Sequence, residues 1–160
     1  MTNESRAAES TTHEVVRIER TKNTCGVCEG YTKRNAQKQV AVLSCEGACL
    51  RGEISRQAAN QLCQIAPEKT VRICLGGAFT KDSGQRALVR DAPRVVAIEG
   101  CFQNCASRMM RGVIPDLEPE VVLADRLYEF DRSLFGVDQM PAEDVTRHAG
   151  TVAARVLETL

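Results

Sequence analysis

The chain has no Trp, and its aromatic residues amount to two Tyr and four Phe. Its core must therefore come from Val, Leu, Ile, Ala and those few Phe, which suits packed helices and strands. An excess of charge is missing too, since Lys plus Arg and Asp plus Glu each number 21. There is no basic surplus to attract a phosphate backbone and no acidic tail to mimic one, which excludes nucleic acid as the expected partner. Long apolar runs are absent: the longest is about six residues against the roughly 20 that span a bilayer. The first twenty residues carry charges where a secretion signal would have an apolar core, so a cytoplasmic protein with no membrane segment is expected. No GxGxxG or GxxxxGK[ST] pattern occurs, and no nucleotide cofactor is supported. Histidine is scarce: His13 falls in the polar N-terminal stretch and His148 near the end, with no motif around either, so neither is expected to be a ligand or half of a Cys–His pair.

Cysteine, by contrast, is abundant. Eight occur in 160 residues, and in a reducing compartment that favours metal or redox chemistry over a disulfide framework. Their spacing carries more than their number. VAVLSCEGAC (residues 40–49) and VAIEGCFQNC (residues 96–105) repeat one device, an apolar run followed by two cysteines four apart: Cys45 with Cys49, and Cys101 with Cys105. Cys25 and Cys28 form CGVC, while Cys63 and Cys74 stand alone.

The chain is short enough for one domain. Residues 1–14 are small and polar and read as a loose tail. Residues 15–39 hold a short strand at most, VVRIE, and then a loop, not a helix, carrying CGVC. Residues 40–130 are expected to form an α/β core, and residues 131–160 a loop and a C-terminal amphipathic helix. VAVLS has strand length and composition, and GEISRQAANQLCQIA places Ile54, Ala58, Leu62 and Ile65 on one helical face. VRICL is a second strand, GGAFT a turn, KDSGQRALVRDA a short helix, RVVAIE a third strand, ASRMMRG a helix stopping near Gly112, and EVVLADRLY a fourth strand or a strand running into a turn. In PAEDVTRHAGTVAARVLETL, Val145, Ala149, Val152, Val156 and Leu160 share a face that packs on the sheet or on a second copy in a homodimer.

Strands alternating with helices predict a mainly parallel four-stranded sheet with helices on both faces. If the strand order is 2-1-3-4, the first and third strands are neighbours, and their loops open into the crevice at the carboxyl edge of the sheet. The two CxxxC turns then face one point, where four thiols can converge. Thiolates are zinc ligands, four of them in a tetrahedron. Cys74, ending the strand on the other side, is a fifth candidate, with plain packing as the competing reading. Cys63, on a helix beside Leu62, reads as core. Cys25 and Cys28 read as a second metal site, a transfer arm or a redox pair. Glu46, Glu99, Gly100 and Asn104 flank the cysteines as groups that support ligands from behind; the plainer readings are a helix N-terminal acid for Glu46 and a solvent-facing strand end for Glu99. Met109 and Met110 are helix packing, or a thioether in a soft-metal site.

EGCFQNCA after an apolar strand, with LSCEG before it and CLGG between, resembles the DGC-domain family of zinc-binding proteins, named for an Asp-Gly-Cys motif. The likeness extends over about residues 40–127. The motif falls on Glu99, Gly100 and Cys101, followed by Cys105, and LSC ending at Cys45 and CLGG at Cys74 match further family cysteines. The resemblance implies a Rossmann-like domain with a cysteine-bound metal and no defined activity. Two positions depart from the family: Glu99 replaces the Asp, and Cys49 adds a thiol.

Three functions compete. The first is a zinc-binding protein in metal handling or a structural role. The second is an iron–sulfur or thiol-redox protein using the same cysteines. The third is a soft-metal or metalloid binder with three thiolates such as Cys74, Cys101 and Cys105. Colour separates the first two, because a zinc thiolate is colourless and a cluster absorbs in the visible.

Overall fold

A computed structural model describes residues 12–160. Most of the tail expected over residues 1–14 lies outside them. The elements in chain order are α1 (Gly26–Asn35), β1 (Val40–Ser44), α2 (Leu50–Ile65), β2 (Thr70–Arg72), α3 (Leu75–Phe79), α4 (Gly84–Asp91), β3 (Arg94–Glu99), α5 (Cys105–Arg111), β4 (Glu120–Leu123) and α6 (Ala142–Leu157), with 3₁₀ turns at Ala124–Arg126 and Val137–Gln139.

The four strands pair in parallel in the order β2-β1-β3-β4. The fold is α/β and Rossmann- or flavodoxin-like, as expected. Strand alternation divides the core into two layers, because successive side chains point to opposite faces. Val40, Val42, Val96 and Ile98 meet α2 and α6 on one face. Ala41, Leu43, Val71 and Ala97 meet α3, α4 and α5 on the other, with Tyr31 of α1 packed against them. On α6, Val145, Ala149, Val152, Ala153 and Val156 are buried in the first of these layers. Among the described residues no helix is long and apolar enough to cross a membrane.

Four local expectations are corrected. VVRIE makes no strand: Val15 and Val16 are exposed, and a short segment without a ladder partner has nothing to hold it extended. CGVC lies on a helix after all, with Cys25 as the N-cap of α1 and Cys28 in its first turn. GGAF is helical and not a turn, forming α3 behind the N-cap Cys74, and Ala78 is its buried residue. On α2, Ile54, Ala58 and Leu62 are fully buried, but Ile65 is 56% exposed, since the helix ends there and its last turn projects past the core.

Candidate functional site

The β1–β3 register aligns Ser44 with Ile98, and the Cys45 N–H continues the ladder by donating to the Ile98 carbonyl at 3.0 Å. Both CxxxC turns therefore leave adjacent parallel strands at the same edge of the sheet. Cys45 is buried, and the backbone amides of Gly47 in its own turn and Gly100 in the other both act on its thiol. Burial above all pushes the Cys45 thiol up to about 11, with Cys105 and Glu99 adding to the rise and the two N–H donors opposing it. At neutral pH it keeps its proton.

Cys49 is the N-cap of α2, with its sulfur accepting from the Gly52 N–H at 3.4 Å. Gly47 lies between the two sulfurs of its turn: a Cβ built on it would stand 3.7 Å from both Cys45 Sγ and Cys49 Sγ. The two sulfurs are thus no further apart than twice that distance. Cys105 is the first residue of α5 and lies within electrostatic reach of Cys45. Cys101 is half-buried and opens the turn closed by the Asn104 N–H on its carbonyl at 3.2 Å. Asn104 holds a left-handed backbone at φ 49°, and its buried Oδ1 has no hydrogen-bond partner.

Close backbone approach fixes these turns. A Cβ on Gly52 would come 2.5 Å from the Gly47 carbonyl oxygen, and one on Gly100 would come 2.8 Å from the Arg51 carbonyl group. The Ser55 hydroxyl donates to the Ile98 carbonyl, tying α2 to the end of β3. The loop before α6 closes over the first turn, where the Leu50 N–H reaches the Phe135 carbonyl at 2.7 Å and Cys49 bridges to Gly136.

Glu99 is not a solvent residue. It is fully buried, and its carboxyl oxygens accept from the Ala106 N–H (3.2 Å), the Ser107 N–H (2.6 Å) and the Ser107 hydroxyl (2.6 Å). It does for α5 what a capping side chain normally does, from the end of the preceding strand. Glu46 pairs with Arg72 at 2.7 Å. That guanidinium also reaches Ser44 Oγ (2.6 Å), Asn60 Oδ1 (2.9 Å) and the Ile73 carbonyl (2.6 Å), clamping the ends of β1 and β2 together. A charge inside the apolar run VRICL was the available signal for this clamp.

A second group of thiols forms beside α1. Cys28 lies within electrostatic reach of Cys25 and Cys74, and burial raises its thiol first, those two cysteines and Glu29 after it. The Gln85 side chain opposes that rise slightly, and its oxygen accepts from the Cys74 N–H at 2.8 Å. Gln85 is 2% exposed, and nothing in its sequence surroundings marks it. Cys74, the N-cap of α3, accepts from the Gly77 N–H at 3.4 Å. Cys63 packs at the margin of the α2–α6 layer, its thiol raised chiefly by burial. Met110 is fully buried and Met109 is exposed. His13 is exposed beside Thr12, while His148 is buried and stacked on Tyr128 at 4.7 Å.

Among the described residues, no three Cys, His, Asp or Glu side chains already stand together as a metal-holding group. The donors nonetheless suit a thiophilic ion, being thiols on two facing turns next to an amide oxygen that lacks a partner. Comparison with known proteins gives one finding: the model of the DGC domain matches residues 41–152. That segment includes both CxxxC turns and Cys74 and leaves out Cys25 and Cys28. No curated protein and no solved structure matches the chain.

Proposed function

The chain belongs to the DGC-domain family, and from that membership we propose that it is a zinc-binding protein whose metal is held by Cys45, Cys49, Cys101 and Cys105. The observation that carries the reading is that both turns leave adjacent parallel strands at the same sheet edge, with the Cys45 N–H on the Ile98 carbonyl and its sulfur within electrostatic reach of Cys105. Four thiolates would leave zinc no open position, so the ion would cross-link the β1–α2 and β3–α5 turns and polarise no water. The role is structural or metal handling. Each coordinating thiol must give up its proton, so binding releases protons to solvent.

The test is metal analysis with a visible spectrum on protein purified without oxygen, repeated for Cys45→Ser and Cys101→Ser. One colourless zinc per chain, lost in both variants, is expected of a closed thiolate site. Iron with inorganic sulfide and a brown spectrum would replace this reading with an iron–sulfur protein. Absence of metal, or zinc retained in both variants, would overturn it.

A further inference from the structure

CGVC lies outside the matched segment, yet the structure docks it firmly onto that segment. The Tyr31 hydroxyl donates to the Arg72 carbonyl at 2.9 Å, and Glu29 accepts from the Gly84 N–H at 2.9 Å. Gly84 packs so closely on Thr32 that a Cβ there would collide with it. These ties hold the start of α1 over the carboxyl end of β2. Cys25, at the N-cap, is exposed; Cys28, three residues on, is half-buried and within electrostatic reach of Cys74. Cys25 and Cys28 are the N-cap and the third residue of one helical turn, and a bond between them needs their Cβ atoms drawn to about 3.5–4.5 Å. One thiol is open to a reaction partner, and the other is half-buried behind it, on the side of α1 that faces Cys74 and the buried Gln85.

We propose that Cys25 and Cys28 form a thiol–disulfide exchange pair, separate from the metal site, that reduces the disulfide of a soluble thiol, with Cys25 as entering nucleophile and Cys28 as resolving thiol. The Cys25 thiolate attacks one sulfur of the disulfide. A bond forms between Cys25 and that sulfur, and the other half leaves as a thiolate. Cys28 then gives up its proton and attacks the Cys25 sulfur, forming the Cys25–Cys28 bond and expelling the second thiolate. Two electrons pass from the protein dithiol to the substrate, and the two thiol protons end on the two released thiols.

The experiment uses the full chain, reduced and desalted without oxygen, then mixed with glutathione disulfide and quenched by alkylation for peptide mass mapping. The expected product is a Cys25–Cys28 disulfide with release of two glutathione thiols per pair oxidised. Cys28→Ser should accumulate glutathione on Cys25, and Cys25→Ser should oxidise Cys28 about tenfold more slowly than wild type. Prior loading with zinc should leave the rate unchanged. The proposal fails if Cys25 and Cys28 stay alkylatable while other cysteines oxidise, if glutathione accumulates on Cys28 instead, if Cys28 pairs with Cys74, or if zinc blocks the exchange.

Discussion

Truncating Glu99 to Ala in metal-free protein should be among the most damaging single changes in this chain. The carboxyl group satisfies three donors in a fully buried place: two backbone N–H groups in the first turn of α5 and the Ser107 hydroxyl. Losing a helix cap costs about 1 kcal/mol, and each buried donor left without an acceptor costs about 1–3 kcal/mol. The hydroxyl can turn to another acceptor, so the two N–H groups dominate, and the expected total is about 3–5 kcal/mol. That is a large part of the 5–15 kcal/mol typical of a whole domain. Glu99→Gln keeps one acceptor oxygen but turns an NH₂ towards a donor, and should lose about 1–3 kcal/mol. Glu99→Asp keeps both oxygens on a shorter stem and should fall between wild type and Ala. The assay is urea unfolding followed by far-ultraviolet circular dichroism, compared at a constant denaturant slope. An Ala variant within about 0.5 kcal/mol of wild type, the range usual for a surface substitution, would refute the capping role.

Two further outcomes follow from the same geometry. Gly100→Ala places its Cβ 2.8 Å from the Arg51 carbonyl group, which is backbone and cannot step aside, so stability should fall by about 1–3 kcal/mol in the same urea assay, with wild-type stability contradicting the close approach. His148 is held below the ordinary histidine value of 6.5, first by burial and then by Arg147, against a weaker opposing pull from Asp144. The folded state prefers the neutral ring, so its contribution is present above about pH 6.5 and is lost as the pH falls through that value, because the unfolded chain then binds the proton more readily. Thermal unfolding between pH 7.5 and 5.5 should show this loss, and His148→Phe, which keeps a ring on Tyr128, should flatten it; an unchanged slope would remove His148 as the cause.

What the sequence made legible was the regular part. Apolar runs such as VAVLS and RVVAIE have strand length and β-branched content and lie between breaking segments, and their alternation with helical periods leaves few sheet orders open. The juxtaposition of the two CxxxC turns follows from that order. The start of α1 was not legible for a physical reason: GVCEGYTKRN has no apolar face and buries no residue. It is held as a helix by ties to Gly84 and Arg72, partners more than 40 residues away that no local pattern reveals. The same holds for α3, whose two glycines argue against a helix until Cys74 caps it and Ala78 is buried. Glu99 read as exposed because a charge at a strand end usually is. The burial comes from Ser107 and the α5 amides, eight residues further on.

The motif residues Glu99 and Gly100 work as one mechanical device, which explains why an acid and a glycine belong directly before the cysteine. Glu99 fixes the direction in which α5 leaves the sheet, by holding its first amides from the end of β3. Gly100 lets that same strand end press against the first turn of α2. One residue thus sets the position of Cys105 relative to β3, and the next sets the position of β3 relative to Cys45 and Cys49. Both act on the backbone of the turns and not through their cysteines. A longer acid at position 99 remains compatible with this device because what matters is that two oxygens reach the α5 amides, and in this chain they do, at 2.6 and 3.2 Å. The thiols beside α1 have no such brace from a second strand. Cys25 is open to solvent at the start of α1, which suits a pair that must meet a partner and change its bonds more than one that must hold an ion still.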